Sequence, residues 1–443
     1  MNELHLDAAR LDELVRLNDH RLQKDFLLHH LEVCPECGAA GAHLLAARRA
    51  GRLPSRYSPV EAELAKSLFE APALWERLHA FSPEKRRGLV QDTDRFLSWG
   101  LCELLCQQSR EAVSGDPEEA LELAELAVLV ARRLPPGQPV EEEWLEELRA
   151  YAWASLGNAR RVLGELRSAD EAFFQADEHW ALGAAEIGDP LGFGASILGL
   201  KASLRRAQRR FEDALALLDQ AVETYLQGNE ELRDLHLAGR ALVKKAYTLD
   251  QMGEPTRAIE ALKEAVPLLD PARDPRTLLC LRHNLVDSLS KTGRFHEASA
   301  LLPEVETLSR EVGSDLDLLR LRWAEGRIAA GLGEAEKGEE ILRQVRRDFV
   351  ERGLGYDAAL VSLELAGLYA KQERTMELKE LAGEMLPIFQ SRDVHREALA
   401  ALALFQQAAS REEASLDLVE RIATYLGRAR RDPGLRFEGA VGP

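Results

Sequence analysis

Apolar positions recur at the three-and-four spacing of an amphipathic helix along most of the chain. Near the start, "HLDAARLDELVRL" puts Leu6, Leu11, Leu14, Val15 and Leu17 on one stripe, with Asp7 as N-cap. "NDH" at 18–20 reads as a turn. "RLQKDFLLHHLEVC" then carries a second stripe through Leu22, Phe26, Leu27, Leu31 and Val33. Two helices of similar length joined by a tight turn run antiparallel. "GRLPSRYSP" reads as a linker. "SPVEAELAKSLFE" and "PALWERLHAF" predict two short helices with proline near each start, and "SPEKRRGLV" opens another. From Trp99 the pattern becomes periodic. The expected organisation is a head over 1–50, a helical linker over 51–98, a repeat array over 99–431 and a Gly/Pro-rich tail over 432–443.

One unit displays the repeat most fully: "AWASLGNARRVLGELRSADEAFFQA". Trp153, Leu156, Gly157, Gly164, Ala169, Phe173 and Ala176 sit at the offsets of the tetratricopeptide signature, with Arg160 where a tyrosine is usual. Gly157 and Ala169 are small where two helices must cross closely, and Trp153 and Phe173 fill the space beside them. Ala120, Ala169, Ala214, Ala258 and Ala298 occupy one equivalent position, continued by Gly338 and Leu378. Gly115, Gly164, Gly253, Gly293 and Gly333 occupy the turn. The sequence thus resembles the tetratricopeptide repeat superfamily over about three-quarters of its length. An all-α fold follows: a helical head, then an α-solenoid of about eight long helix pairs. The last pair, near 396–431, keeps the pattern without the signature, as a capping unit does.

That resemblance implies a right-handed superhelix whose first helices line a concave face. Groove positions then fall on Asn158, Arg161, Arg206, Arg240, Lys244, Tyr247, His283, Asn284, Arg320 and Arg327. Six of these ten are arginine or lysine, which suits an acidic peptide or the free carboxylate at the end of a polypeptide.

Charge pulls the other way. Leu, Ala, Glu and Arg dominate a sequence of 443 residues with a formal net charge of −18. An acidic surface repels phosphate backbones, so direct nucleic-acid binding is not expected, and a basic protein face fits the whole better. The N-terminus lacks the basic-then-apolar pattern of a signal peptide, and the run "LAVLVA" at 126–131 is too short to span a bilayer. A cytoplasmic protein with no membrane contact is the expectation. Five cysteines, an odd and sparse set, do not make a disulfide framework.

Two of those cysteines lie in "HHLEVCPECG" at 29–38. His30 and Cys34 are one helical turn apart on one face. Pro35 ends the helix, and Gly38 lets Cys37 turn back. The antiparallel hairpin brings His5, just before the first helix, beside them. Two imidazoles and two thiolates suit tetrahedral Zn²⁺, with His43 as the other candidate for the fourth position. "HLEVCPEC" reproduces the H-L-x2-C-x2-C core of the zinc-binding anti-sigma factor domain, and His5 stands where that family's distal ligand lies. The resemblance covers about 45 residues and implies His5, His30, Cys34 and Cys37 as ligands. The zinc would be structural, since so small a hairpin buries little apolar surface; some members of that family lose zinc when the thiolates oxidise, so the resemblance allows a redox-sensitive site.

No Walker sequence, G-x-S-x-G or H-E-x-x-H motif occurs, and a four-ligand zinc leaves no open position, so no enzyme is expected. The expected function is a regulatory interaction protein: an anti-sigma-like head engages a sigma factor or other transcription regulator, and the array binds a controlling protein or peptide. The alternative is a scaffold in which the hairpin is purely structural.

Overall fold

A computed structural model describes residues 59–113, 115–136, 142–183, 193–227, 234–390, 396–410 and 414–429. His5, His30, Cys34, Cys37 and His43 lie outside the described residues, as does the tail over 432–443. Every regular element among the described residues is helical. The first are α1 (Pro59–His79) and α2 (Pro83–Asp92), followed by a 3₁₀ turn at Asp94–Phe96. Sixteen helices follow: α3 (Trp99–Ala112), α4 (Pro117–Arg133), α5 (Glu142–Val162), α6 (Leu166–Gly183), α7 (Phe193–Ala207), α8 (Phe211–Leu226), α9 (Leu235–Met252), α10 (Pro255–Ala265), α11 (Pro275–Lys291), α12 (Phe295–Val312), α13 (Asp315–Gly331), α14 (Ala335–Glu351), α15 (Gly355–Lys371), α16 (Thr375–Gln390), α17 (Arg396–Ser410) and α18 (Leu416–Ala429). In order they make eight pairs, the first starting at Trp99. The protein divides within α9 into two compact units, between Ala241 and Leu242.

Side-chain caps start several of these helices. Asp116 accepts the amides of Glu118 and Glu119 ahead of Pro117 in α4. Asp274 accepts the Thr277 amide in α11. Ser314 and Asp317 form a reciprocal capping box on α13. The ends are as regular. Gly164, Gly253, Gly293 and Gly333 all have positive φ, and the next residue's amide returns to a carbonyl five positions back, as in Glu165 N to Arg160 O at 3.0 Å. Arg209 and Glu373, at φ 61° and 57°, make the same turn without glycine. They occupy the equivalent position in their own repeats.

In the first unit the core runs through Phe96, Leu101, Leu105, Leu148 and Phe173, all buried. Tyr151 stacks on Phe193 with ring centroids 4.6 Å apart. A Cβ on Gly157 would sit 2.7 Å from the Phe173 ring, so α5 and α6 cross at the distance their small residues allow. Ala169 is buried in the same crossing, and Ala120 and Ala214 are buried at its equivalents. In the second unit Ala258, Ala298, Gly338 and Leu378 repeat the position, all buried. There a Cβ on Gly338 would meet the Gly326 carbonyl oxygen at 2.9 Å. Phe349 and Phe405 centre that core, with Trp323 edge-on to Phe349.

One expectation needs correcting. The two short helices anticipated before residue 80 are a single helix, α1, with Pro72 inside it. Proline costs a helix interior about 3 kcal/mol. Here Leu64, Leu68, Ala71 and Leu78 are all buried on one face, and α1 packs on α3. That burial outweighs the broken backbone bond. The contact is close: a Cβ on Gly100 would fall 2.2 Å from the Ser67 carbonyl oxygen.

Candidate functional site: the first-helix faces

The ten groove positions all lie on first helices of their pairs: α5, α7, α9, α11 and α13. In the first unit Asn158 is buried and pinned: Arg161 Nε and Nη2 donate to its Oδ1 at 3.2 and 2.9 Å. Arg161 is half-buried. Its burial, and secondarily the charge of Arg206, lower its pKa to about 10. Arg161 and Arg206 thus sense each other across α5 and α7. Arg206 is half-buried and Arg240 exposed.

In the second unit, Lys244 and Tyr247 on α9 and Asn284 on α11 are half-buried. Arg327 is a strut. Its Nη1 donates to Asp287 at 2.6 Å and its Nη2 to Glu364 at 2.6 Å, joining α11, α13 and α15. Burial would lower its pKa, but Glu364 and Asp287 outweigh that and hold it firmly charged. Lys291 extends the series, 2.7 Å from both Asp250 and Asp287. The result is a relay of alternating charges, Asp250–Lys291–Asp287–Arg327–Glu364, across four consecutive first helices. Burial works to raise the Asp287 carboxyl, but its two cationic neighbours hold it well below the usual carboxylate range. A second tie, Arg276 to Asp317 at 2.7 and 3.2 Å, joins α11 to α13.

These ties separate cations that hold the fold from cations that face solvent. Arg320 is exposed and makes no ion pair with a described residue. It lies close enough to His283 to affect its titration. The His283 Nε2 is buried and has no hydrogen-bond partner. Burial is the first cause lowering its pKa below 6.5; Asp317 and Asp287 oppose this, and Arg320 and Arg276 add to it. His283 is therefore a neutral imidazole at neutral pH, with an unused nitrogen and an exposed guanidinium within electrostatic range.

The charge relay was missed in sequence. Its signal was present, since Asp250 and Lys291, and Asp287 and Arg327, are opposite charges one repeat length apart. Among the described residues no group of three or more His, Cys, Asp or Glu could hold a metal ion. Cys102 and Cys106 are buried, Cys102 lying 3.4 Å from the Ala127 carbonyl oxygen, and burial pushes its thiol pKa up. No helix of the described residues is long and apolar enough to cross a membrane.

Comparisons with known proteins bear on the fold. Residues 239–268, spanning most of α9 and α10, match the tetratricopeptide repeat family. No curated protein matches the sequence. Among solved structures it is similar to a signal transduction ATPase with a tetratricopeptide repeat sensor from Pyrococcus horikoshii, at TM-score 0.51 and 14% identity, over 97% of this protein and 66% of that one. It is also similar to aspartyl phosphate phosphatase F from Bacillus subtilis, at TM-score 0.48 and 12% identity, over 89% and 96% of the two proteins. A Rap protein complexed with competence and sporulation factor gives TM-score 0.48 and 11% identity, over 75% and 92%. The fold is an array of tetratricopeptide-like helix pairs.

The imidazole gives a pH test. In the folded protein His283 should titrate with a midpoint below 6.5, and Arg320→Gln should move that midpoint upward, as followed by its NMR resonances. The unfolded state then binds the proton more readily, so His283 costs stability as pH falls below 6.5 and none above it. A folded midpoint at or above 6.5 would contradict this environment.

Proposed function

We propose that this protein is a non-enzymatic regulatory interaction module whose repeat array binds an acidic protein or peptide segment along first-helix faces. The observation that carries the reading is the sorting of cations in the second unit. Arg327 and Lys291 are committed to Asp287, Asp250 and Glu364, while Arg320 is exposed beside His283. A carboxylate reaching Arg320 gains a charge-assisted, bidentate partner. It also offers the His283 Nε2 an acceptor once that ring is protonated or reoriented. Asn284 adds an amide one position along α11.

The head belongs to the same proposal. His5, His30, Cys34 and Cys37 would hold a structural Zn²⁺, a set of two imidazoles and two thiolates suited to tetrahedral coordination. An anti-sigma-like hairpin so stabilised would engage a sigma factor or another transcription regulator, and the ligand of the array would control that engagement. Elemental analysis of the purified full-length protein should find one zinc per molecule, lost in Cys34→Ser. Metal-free protein purified without chelator would refute the head.

The array has its own test. A fluorescent poly-glutamate peptide should bind the full-length protein in a salt-sensitive manner, and Arg320→Glu should weaken it by about tenfold or more. Equal binding by that variant would remove the groove from the proposal and leave the zinc question untouched.

A further inference from the structure

The outward face of α6 presents a different chemistry from the first-helix faces. Glu171, Phe174, Glu178 and Leu182 follow at spacings of three, four and four, so they share one side of the helix. All four are exposed; Phe174 is 59% and Leu182 66% accessible. The opposite side is the core side, where Ala169, Ala172, Phe173 and Ala176 are buried. The row faces away from the core. It alternates acid and apolar over about 16 Å of helix at 1.5 Å per residue.

Beside Phe174 the surface is hollow. A cavity of about 530 Å³ opens there, with both phenylalanines of the helix and the carboxylates of Asp170, Glu171 and Asp177 among its lining. Its floor is braced. Arg205 of α7 meets Asp170 at 2.6 Å, and Lys201 of α7 is hydrogen-bonded to Asp177. Two of the carboxylates are thus occupied by neighbouring side chains. Glu178 makes no ion pair with a described residue, and Glu171 has only the exposed Arg167 at 3.6 Å. An exposed pair of that kind holds little free energy and yields easily to a better partner.

We infer that this face of α6 is a docking surface for a basic amphipathic helix of a protein partner. The partner's apolar side chains would seat on Phe174 and in the cavity beside it, and its arginines or lysines would meet Glu171 and Glu178. Charge selects this occupant. A second copy of the protein would bring its own net charge of −18 to an acidic row. A basic helix gains ion pairs along the same line on which it buries the ring, and a guanidinium can also lie over the face of Phe174. Its residues are not those of the proposed acidic-ligand site, so the two can be tested independently.

The test uses the full-length protein and a labelled helical peptide built of Leu-Arg-Lys-Leu repeats, followed by fluorescence anisotropy. The peptide should bind, and binding should fall as salt rises. Phe174→Ser and Glu178→Lys should each weaken it about tenfold, the loss expected of a central anchor. Both positions are exposed, so circular dichroism should be unchanged. Arg320→Glu should bind as the unaltered protein does, which separates this surface from the first-helix faces. Three results would overturn the inference: no binding, equal binding to Phe174→Ser, or equal binding of the counterpart with glutamate in place of arginine and lysine.

Discussion

The close crossing of the two helices in a pair is the constraint on which everything else rests. Where Gly157 lies under the Phe173 ring, the absence of a Cβ sets how near α5 and α6 approach. Alanine or glycine is buried at the Ala169 position of most later second helices, and Gly338 lies close against the Gly326 carbonyl. The left-handed turn between the two helices then fixes the direction in which the second sets off. Regular crossings and regular turns together bring successive first helices side by side in register, as α11, α13 and α15 are.

Register is what gives the electrostatics their form. A carboxylate on one first helix meets a cation one repeat later, so Asp250, Lys291, Asp287, Arg327 and Glu364 interlock across four helices. Such a network loses less side-chain entropy per bond than isolated surface pairs, because each member is already held by another. It commits Lys291 and Arg327 to carboxylates of the protein itself. Arg320 stays exposed, within electrostatic range of His283. In the first unit, the outward face of α6 displays carboxylates with Phe174 and Leu182 exposed between them.

Much of the array was legible in sequence because its determinants are local. The buried series from Ala120 to Ala298 and the glycine turns each occur within one helix pair and recur with it. The features that escaped are those that depend on distant packing. Pro72 read as a helix start, because the burial of Leu64, Leu68 and Leu78 against α3 cannot be seen from α1 alone. Arg209 and Glu373 hid two turns, since their own chemistry does not favour positive φ. Arg327 read as a groove cation, because its two acceptors lie 40 and 37 positions away in sequence. The exposed row on α6 was overlooked for the opposite reason: Phe174 follows the buried Phe173, and only burial distinguishes them. The proposed zinc ligands lie outside the described residues, so the head still rests on its motif.

Native-state hydrogen exchange on Gly157→Val is the most direct measurement of the central claim. The added side chain has no room beside a fully buried ring, so the α5–α6 crossing must open at a cost of about 1–3 kcal/mol. The account predicts faster exchange for amides of α5 and α6, a smaller effect in their packing neighbours α4 and α7, and unchanged protection in α13–α16. Unaltered exchange in α5 and α6 would mean that the crossing does not hold the pair together.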